Sequence, residues 1–355
     1  MTHVQVLVVD DSVVMRQLLR QTFSADPIIR VQGVAANGRI ALAMIAQTPP
    51  DAVVLDIEMP EMDGLTCVQE IRRRYPKLPV IMCSTLTEHG AAITLEALAR
   101  GANDYVTKPS SLDATDNPIE KLRRELIPRI RALCRVAQQE SLPTVAKRIH
   151  AIRREWPVRI VAIGASTGGP NALAEVLPTI PKNFPVPILI VQHMPPVFTR
   201  LMAERLDKTC NIRVQEAREG ARLRPGEAWV AAGDFHLGVM DVMGERVLHV
   251  SQGPAENSCR PAVDVLFRSV AQVYGAGVLG VVLTGMGYDG LRGSEHVREA
   301  GGRVIVQDEA TSVVWGMPRA VAGAGLADEI WPLSAMGAAI ASAVEWKREA
   351  AVWGL

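Results

Sequence analysis

The sequence lacks an excess of charge of either sign, because its 355 residues include 38 basic and 38 acidic side chains. It also lacks a long run of like charge, so we expect no binding of nucleic acid or another polyanion by the chain as a whole or by a tail. The basic stretch at residues 147–155 is short and has no interleaved aromatic side chains. It therefore favours a solvated linker helix over a nucleic-acid arm.

Long hydrophobic runs are absent as well. No apolar stretch reaches the ~18–20 residues needed to span a bilayer, and the N-terminus enters a strand-like run without the pattern of a signal peptide. The five cysteines form no C-x-x-C pair, which argues against a zinc site and against a disulfide framework. We therefore expect a cytoplasmic protein without membrane insertion, in which the cysteines are reduced and mostly structural.

Length and periodicity together predict two α/β domains. In the first, helix-length segments follow five short apolar runs, near residues 4–9, 31–35, 52–56, 79–84 and 104–107. Such alternation predicts a doubly wound (βα)5 domain with a parallel sheet. The domain is predicted to span residues 1–125. Residues 126–155 become polar, contain proline and then turn basic, which indicates a linker.

The second domain is predicted at residues 156–355. Buried strands are predicted at 158–163, 186–192, 277–283 and 303–306. Shorter alternating segments between the second and third of these have the pattern of hairpins, at 228–231, 235–239 and 246–250. The predicted fold is a mainly parallel sheet with an antiparallel hairpin insertion.

Polar side chains stand at the carboxyl ends of four strands in the first domain. Asp10 and Asp11 follow the first strand, Asp56 ends the third, and Ser84 and Lys108 follow the last two. Open α/β sheets bind ligands at this edge, so these side chains are expected to form one site. Any one of them could instead cap a helix or end a strand, but five in register favour a binding site.

The chemistry of this set suits a phosphoryl group. A carboxylate attacks a phosphoryl group only when a cation offsets the repulsion between the two anions, and Asp10, Asp11 and Asp56 supply the hard oxygen ligands that Mg²⁺ prefers. Lys108 would place its ammonium on the phosphoryl oxygens, and the hydroxyl of Ser84 would report phosphorylation through a hydrogen bond. The sequence therefore predicts a phosphoryl-acceptor site.

These residues stand in motifs that resemble the receiver domain of bacterial response regulators, at residues 8–12 (VVDDS), 55–64 (LDIEMPEMDG), 84 and 108–109. The resemblance covers residues 1 to about 125. It implies that Asp56 accepts phosphate from a histidine kinase and that Mg²⁺ is bound by Asp10, Asp11, Asp56 and the backbone carbonyl of Glu58. It also implies a conformational switch formed by Ser84, Tyr105 and Lys108.

A Gly-x-Ser-x-Gly string, residues 164–168 (GASTG), follows the first strand of the second domain. A strand that leads into such a turn and then a helix presents Ser166 as a nucleophile, and the turn amides can donate to an oxyanion. The alternative is a dinucleotide-binding loop. That loop needs G-x-G-x-x-G spacing and an acid after the second strand, whereas this chain has Pro170 and the pair Gln192-His193.

His193 is the predicted base, because it ends the strand that follows the Ser166 turn and helix. His236 and His249 fall in the hairpin segments, where a lone histidine is more often structural. Asp289 follows the next buried strand and is the predicted orienting acid. Asp308 is the second candidate for that acid and could equally cap a helix.

The order Ser…His…Asp differs from that of α/β-hydrolases, so a different hydrolase fold is expected. The second domain resembles the catalytic domain of the chemotaxis protein-glutamate methylesterase, through residues 163–170 (IGASTGGP), 192–194 (QHM), 258–264 (SCRPAVD), 283–290 (LTGMGYDG) and 307–318 (QDEATSVVWGMP). Together with the receiver, the resemblance spans essentially the whole chain.

The resemblance implies hydrolysis of glutamate γ-methyl esters on chemoreceptor cytoplasmic domains, and deamidation of certain glutamines. Ser166 would attack, His193 would act as base and then acid, and Asp289 would orient the imidazole. Backbone amides at Thr167 and Met286 are the candidate oxyanion donors. Ester hydrolysis would need no cofactor, and Mg²⁺ would serve the receiver alone.

The implied partners are a chemotaxis histidine kinase as phosphodonor and methyl-accepting chemoreceptors as substrates. The receiver is expected to inhibit the hydrolase until Asp56 is phosphorylated. The alternative is a receiver joined to a non-catalytic output module, either a scaffold or a transcription factor. Balanced charge, the lack of a helix-turn-helix pattern and the complete set of triad residues argue against that alternative.

Overall fold

The computed structural model describes residues 3–109, 117–136 and 157–345. The chain divides into two compact units, Met1–Glu140 and Ser141–Leu355. Each unit is built around its own cluster of buried apolar side chains. Among the described residues, no helix is both long enough and apolar enough to cross a membrane.

The described part of the first unit is a five-stranded parallel sheet with its helices. The strands are β1 (Val4–Val9), β2 (Ile29–Ala35), β3 (Ala52–Asp56), β4 (Val80–Ser84) and β5 (Asp104–Thr107). The helices are α1 (Val13–Ser24), α2 (Gly38–Gln47), α3 (Gly64–Arg74), α4 (Glu88–Ala99) and α5 (Pro118–Leu133). The strand order β2-β1-β3-β4-β5 and the parallel pairing confirm the predicted (βα)5 fold.

Local sequence explains where these helices begin. Each has a polar residue at its N-cap whose side chain accepts a hydrogen bond from a backbone amide of the first turn: Ser12, Asn37, Asp63, Thr87 and Asn117.

The strand order reverses between β1 and β3, and ligands of doubly wound sheets bind at the carboxyl ends of such strands.

Helix α5 continues past the boundary predicted at residue 125. Leu122, Leu126 and Ile130 recur at helical spacing and are fully buried in the core of the first unit. The Arg131 guanidinium also lies 2.6 Å from the carboxylate of Asp26, which holds the end of the helix to this unit. The first part of the predicted linker is therefore helix, and the part from residue 137 to residue 155 lies outside the described residues.

The second unit has a larger sheet, of seven strands within the described residues. The strands of this unit are β6 (Ile160–Ala165), β7 (Ile188–Gln192), β8 (Arg213–Glu216), β9 (Glu227–Val230), β10 (His236–Val242), β11 (Glu245–Ser251), β12 (Val278–Val282), β13 (Arg303–Gln307) and β14 (Glu329–Trp331). The helices are α6 (Gly169–Val176), α7 (Pro196–Thr209), α8 (Val263–Tyr274), α9 (Leu291–Glu299), α10 (Met317–Gly323) and α11 (Leu333–Glu345).

The large sheet has the order β14-β13-β12-β6-β7-β9-β8, and each neighbouring pair is parallel. Strands β10 and β11 form a separate antiparallel hairpin. This confirms a mainly parallel sheet with an antiparallel insertion. Strand β6 lies between β7 and β12, so the residues that follow these three strands lie at one edge of the sheet.

The structure corrects one detail of the strand prediction. The segment 228–231 was predicted to form a hairpin, but β9 pairs in parallel with β7 and β8 inside the large sheet. Its residues Ala228, Trp229 and Val230 are buried, as expected for a strand with both faces covered. Strands β8 and β14 were not predicted, because their short sequences, RVQE and EIW, contain no apolar run.

Candidate active site

A tight turn after β6 carries Ser166. The backbone amide of Ser166 donates to the carbonyl of Thr284, 3.0 Å away, and the amide of Gly169 donates to the carbonyl of Ser166, 2.8 Å away. Gly168 has a left-handed φ of 78°, and a Cβ there would lie 2.7 Å from the side chain of Val313. The turn therefore requires glycine at position 168, both for its conformation and for its close packing.

Buried polar side chains fix this turn from two sides. The Gln192 amide nitrogen donates to the carbonyl of Ser166 at 3.0 Å. The Thr284 hydroxyl donates to the carbonyl of Thr167 at 2.9 Å, and the Thr284 amide donates to the Gln307 side chain at 2.8 Å. These residues lie within the sequence motifs, but no pattern in the sequence indicates that they hold the turn.

His193 and Asp289, the predicted base and acid, are in contact. The amide of His193 donates to the carbonyl of Ala165 at 3.2 Å, which places His193 beside the end of the strand that carries Ser166. The Nε2 atom of His193 lies 2.9 Å from Oδ2 of Asp289. The two side chains are 14% and 3% exposed, so water competes little for this hydrogen bond.

Backbone and side-chain donors surround the Asp289 carboxylate. Oδ2 accepts from the Val263 amide at 2.6 Å, and Oδ1 accepts from the Asp264 amide at 3.0 Å, the Gly290 amide at 3.0 Å and the Asn257 side chain at 2.9 Å. Val263 and Asp264 begin α8, so a helix N-terminus faces the acid. Burial alone would raise the pKa of Asp289, but the hydrogen bonds from His193 and the amides lower it.

A second carboxylate, Asp264, lies beside the first and was missed as a site residue. It accepts from the amides of Gly290 and Gly293 at 2.9 and 2.6 Å. The Asn257 amide nitrogen bridges the two acids, 2.8 Å from Asp264 and 2.9 Å from Asp289. Burial and the charge of Asp289 raise the pKa of Asp264 to about 6. Loop residues such as Asn257 gave no periodic signal in the sequence.

Cys259 is a further neighbour of the predicted base, although the sequence gives no reason to expect more than a structural role for it. Its Sγ lies 3.5 Å from Nδ1 of His193. Burial of the ring would lower the pKa of His193, but the hydrogen bond to Asp289 raises it above its usual value. The carboxylate thus stabilises the imidazolium that forms when His193 takes a proton.

The candidate oxyanion donors flank the nucleophile turn. Thr167 is buried and directly follows Ser166. Met286 follows Gly285, where a Cβ would lie 2.9 Å from Cβ of Ser166. The segment with Met286 therefore passes close against the turn, as an oxyanion donor requires.

The competing candidates have structural partners elsewhere. His236 is buried, with Nε2 2.9 Å from the carbonyl of Pro254, and its Nδ1 accepts from the Ala262 amide at 3.2 Å. The His249 ring lies 3.3 Å from Glu219. Asp308 accepts from the Thr311 amide at 3.0 Å and so closes the turn after β13.

The first unit brings together the acids that were predicted for phosphoryl transfer. Carboxylate oxygens of Asp10, Asp11 and Asp56 lie within 4.8 Å of one another. The Lys108 ammonium lies 3.0 Å from Asp10 and 2.7 Å from Asp56. The Lys108 ammonium thus offsets the charge of the buried Asp10 carboxylate. Three carboxylates facing one ammonium fit a divalent cation.

The protonation of Asp56 reflects this crowding. Burial raises the pKa of Asp56 to about 6, and the charge of Asp10 adds to the effect, while Lys108 opposes it.

Glu58 and Ser84 line a cavity of about 210 Å³ together with Asp56 and Lys108. The Ser84 hydroxyl lies 2.6 Å from that of Thr94. Tyr105 is buried in β5, and this burial raises the pKa of its phenol.

Comparisons with known proteins match both units. The family model for CheB methylesterase matches residues 161–340, and that for the response regulator receiver domain matches residues 6–120. A protein of Trichodesmium erythraeum named "Protein-glutamate methylesterase/protein-glutamine glutaminase" is 50% identical over 342 residues, 94% of this chain and 97% of that protein. A protein of the same name from Nocardioides sp. is 50% identical over 348 residues, 95% of this chain and 94% of that protein.

A solved structure agrees with this match. The crystal structure of the Thermotoga maritima CheB methylesterase catalytic domain is 43% identical, with a TM-score of 0.51, and the match covers 52% of this chain and 98% of that one. The catalytic-domain match and the full-length relatives lead to the same family. The chain therefore belongs to the CheB methylesterase family, with a response regulator receiver domain ahead of the catalytic domain.

Proposed function

We propose that this chain is a phosphorylation-regulated hydrolase that removes methyl groups from glutamate γ-methyl esters of chemoreceptors and deamidates specific glutamines. The observation that carries the proposal is the contact of 2.9 Å between His193 and Asp289, beside the strand end that presents Ser166. The names of the full-length relatives support the choice of glutamate esters and glutamines as substrates.

In the proposed mechanism, the Ser166 hydroxyl attacks the ester carbonyl carbon while His193 takes its proton. Asp289 holds the ring and stabilises its charge, and amides of Thr167 and Met286 donate to the oxyanion. His193 then gives the proton to the leaving methoxide, and methanol departs. Water hydrolyses the acyl-enzyme by the same route in reverse. With glutamine as substrate, ammonia is the leaving group.

Residues 1–125 are the proposed receiver and residues 156–355 the proposed hydrolase. Asp56 would accept a phosphoryl group from a histidine kinase. Asp10, Asp11, Asp56 and the backbone carbonyl of Glu58 would hold Mg²⁺, which offsets the charge of the phosphoryl oxygens. Lys108 would bind one of those oxygens, and Ser84 and Tyr105 would rearrange in response.

The test is release of labelled methanol from methyl-labelled chemoreceptor membranes by the purified chain. We expect the wild type to release methanol and Ser166→Ala to be slower by about 10³-fold or more, because the nucleophile and base act as a unit. Equal thermal stability of the two proteins would exclude unfolding as the cause. No release by the wild type would favour a non-catalytic output module, and equal rates of release by the two proteins would show that Ser166 is not the nucleophile.

A further inference from the structure

The pair formed by Cys259 and His193 has the spacing of two ligands on one metal ion. The Sγ atom of Cys259 lies 3.5 Å from Nδ1 of His193. A zinc ion bound to sulfur at about 2.3 Å and to nitrogen at about 2.0 Å, at the tetrahedral angle, holds its two ligand atoms roughly 3.5 Å apart. Zinc could therefore enter between these atoms without separating them further.

Asp289 orients the His193 ring so that Nδ1 can bind a metal ion. Its Oδ2 lies 2.9 Å from Nε2 of His193 and accepts a hydrogen bond from Nε2–H, which in the neutral ring places the lone pair on Nδ1, the atom that faces Cys259. Histidine ligands of zinc are commonly oriented by such a carboxylate on the other ring nitrogen. Carboxylate, imidazole and thiol lie together in this order among the described residues.

The loop that carries the thiol is held in place. The Cys259 amide donates to the Glu256 carbonyl at 2.8 Å, and the Glu256 amide donates back to the Cys259 carbonyl at 3.1 Å. Between them, Asn257 and Ser258 have left-handed φ values of 52° and 61°, and the Asn257 side chain is bonded to Asp289. The thiol and the imidazole are thus positioned by contacts to the same acid, which reduces the entropy lost on binding an ion.

We propose that Cys259 and His193, with Asp289 as the orienting carboxylate, bind a thiophilic divalent cation such as Zn²⁺ and that the bound ion blocks the base. Binding releases the thiol proton and, where the ring is protonated, the Nδ1 proton to solvent, and the thiolate and Nδ1 then share the ion. Hard Mg²⁺ would not compete for a sulfur and nitrogen pair. The cysteine spacing in the sequence argued against zinc because these ligands come from distant segments.

The effect on turnover rests on the proposed function, because only a base that must accept the Ser166 proton is inhibited by losing its lone pair. The binding itself does not rest on it. The two are therefore measured separately, with Co²⁺ as a spectroscopic probe for the site and Zn²⁺ as the inhibitor. All measurements use the full chain with excess Mg²⁺, which occupies the carboxylates of the first unit.

The binding experiment is a Co²⁺ titration followed by the near-ultraviolet charge-transfer band of a cobalt thiolate. We expect one equivalent to produce the band in the wild type and in Cys210→Ser, the matched control, since Cys210 is a free and partly buried thiol of the same unit. Cys259→Ser should lose the band. Asp289→Asn should keep it but bind about 10–100-fold more weakly.

The same series shows whether the site is wrong. A wild type without the band, or a Cys259→Ser protein that keeps it, would overturn the proposal and leave an ordinary thiol–imidazole hydrogen bond. Cys259→Ala repeats the test if the serine variant does not fold. Zn²⁺ should lower wild-type esterase turnover by at least about tenfold, reversibly with a chelator, and should affect Cys259→Ser far less. A band without any esterase activity would refute only the proposed function.

Discussion

The pKa values of two buried carboxylates, Asp289 and Asp56, are set by the individual residues that contact them. Asp289 receives hydrogen bonds from His193 and from the amides at the start of α8, and its pKa is lowered. Asp56 receives one amide, from Ile57 at 2.7 Å, and the Lys108 ammonium, and its pKa is raised to about 6. Hydrogen bonds from His193 and the amides outweigh burial at Asp289, whereas burial and the charge of Asp10 outweigh Lys108 at Asp56.

The choice of Asp289 as orienting acid can be tested against Asp308. Asp289→Asn should lower methylesterase turnover by about 10³–10⁴-fold, because a neutral amide neither fixes the ring tautomer nor stabilises the imidazolium. Asp308→Asn should turn over like the wild type, since Asp308 closes a turn with Thr311. Steady-state turnover and thermal denaturation of both variants decide the matter. The reverse pattern would assign the role to Asp308.

Asp56 should make the first unit less stable as the pH rises. Its folded pKa of about 6 exceeds its ordinary value of 3.8, so the stability that its protonated form provides is complete below about pH 4 and is lost as the pH rises through 6. Asp56→Asn should therefore stabilise the unit at pH 8 by up to about 3 kcal/mol and at pH 5 by roughly half as much.

Scanning calorimetry in a chelating buffer measures this effect, as a rise of roughly 3–6 °C per kcal/mol in the melting temperature of the first unit. Adding Mg²⁺ at pH 8 should stabilise the wild type more than the variant, because the cation relieves the repulsion between carboxylates. A stability difference independent of pH between 5 and 8 would show that Asp56 does not titrate in this range.

At the scale of an element, the turn between β6 and α6 depends on Gly168. Gly168→Ala should destabilise the second unit by more than the ~1–2 kcal/mol expected for a left-handed alanine, because the new Cβ would also lie 2.7 Å from Val313. It should also lower turnover by displacing Ser166. Gly220→Ala is the matched control, with a φ of 70° but no neighbour within 4 Å.

Tryptophan fluorescence follows these variants selectively, because all six tryptophans lie at position 156 or beyond. Urea unfolding of each variant then gives its loss of stability, and ester hydrolysis gives its turnover. Gly220→Ala should show only the conformational cost and near-normal turnover. Equal losses of stability and turnover in the two variants would mean that the contact with Val313 has no role.

The strands that hold the site could be predicted from sequence, whereas several residues that complete it could not. Runs of buried β-branched residues identify β6, β7 and β12; Ser166 and His193 directly follow the first two, and Asp289 lies in the loop after the third. Asn257, Cys259 and Asp264 reach the same place from a loop and the start of α8, and no periodic pattern records a contact between distant segments. Short edge strands such as β14 escape detection for a related reason, since pairing alone defines them.

At the scale of the whole molecule, regulation requires the receiver to change the rate of the hydrolase. The second unit has its own core, so a truncated chain of residues 150–355 should fold alone. Because the receiver is expected to inhibit the hydrolase, this truncated chain should hydrolyse receptor esters faster than the unphosphorylated full chain. Phosphorylation of the full chain should recover part or all of that difference. Shifting the equilibrium between the inhibited and the active form from 1:99 to 99:1 would require phosphorylation to stabilise the active form by about 5.5 kcal/mol relative to the inhibited one.

The comparison is made at equal concentration on the same methylated receptor, with a histidine kinase and Mg²⁺ for the phosphorylated sample. Asp56→Asn is the control, and it should neither accept labelled phosphate nor respond to the kinase. If the truncated chain were no faster while phosphorylation still activated the full chain, the receiver would act as a stimulator and not as an inhibitor.

The parallel pairing of the large sheet has a consequence for protein engineering. Because neighbouring strands run in the same direction, Ser166 and His193 stand at their carboxyl edge, and the described connection that enters β7 at the opposite edge carries none of the residues assigned to catalysis. Lys182 and Asn183, in the connection that leads into β7, are exposed. A fluorescent reporter inserted between them should leave the catalytic groups in place, so this enzyme could be tagged internally, with both of its ends left free.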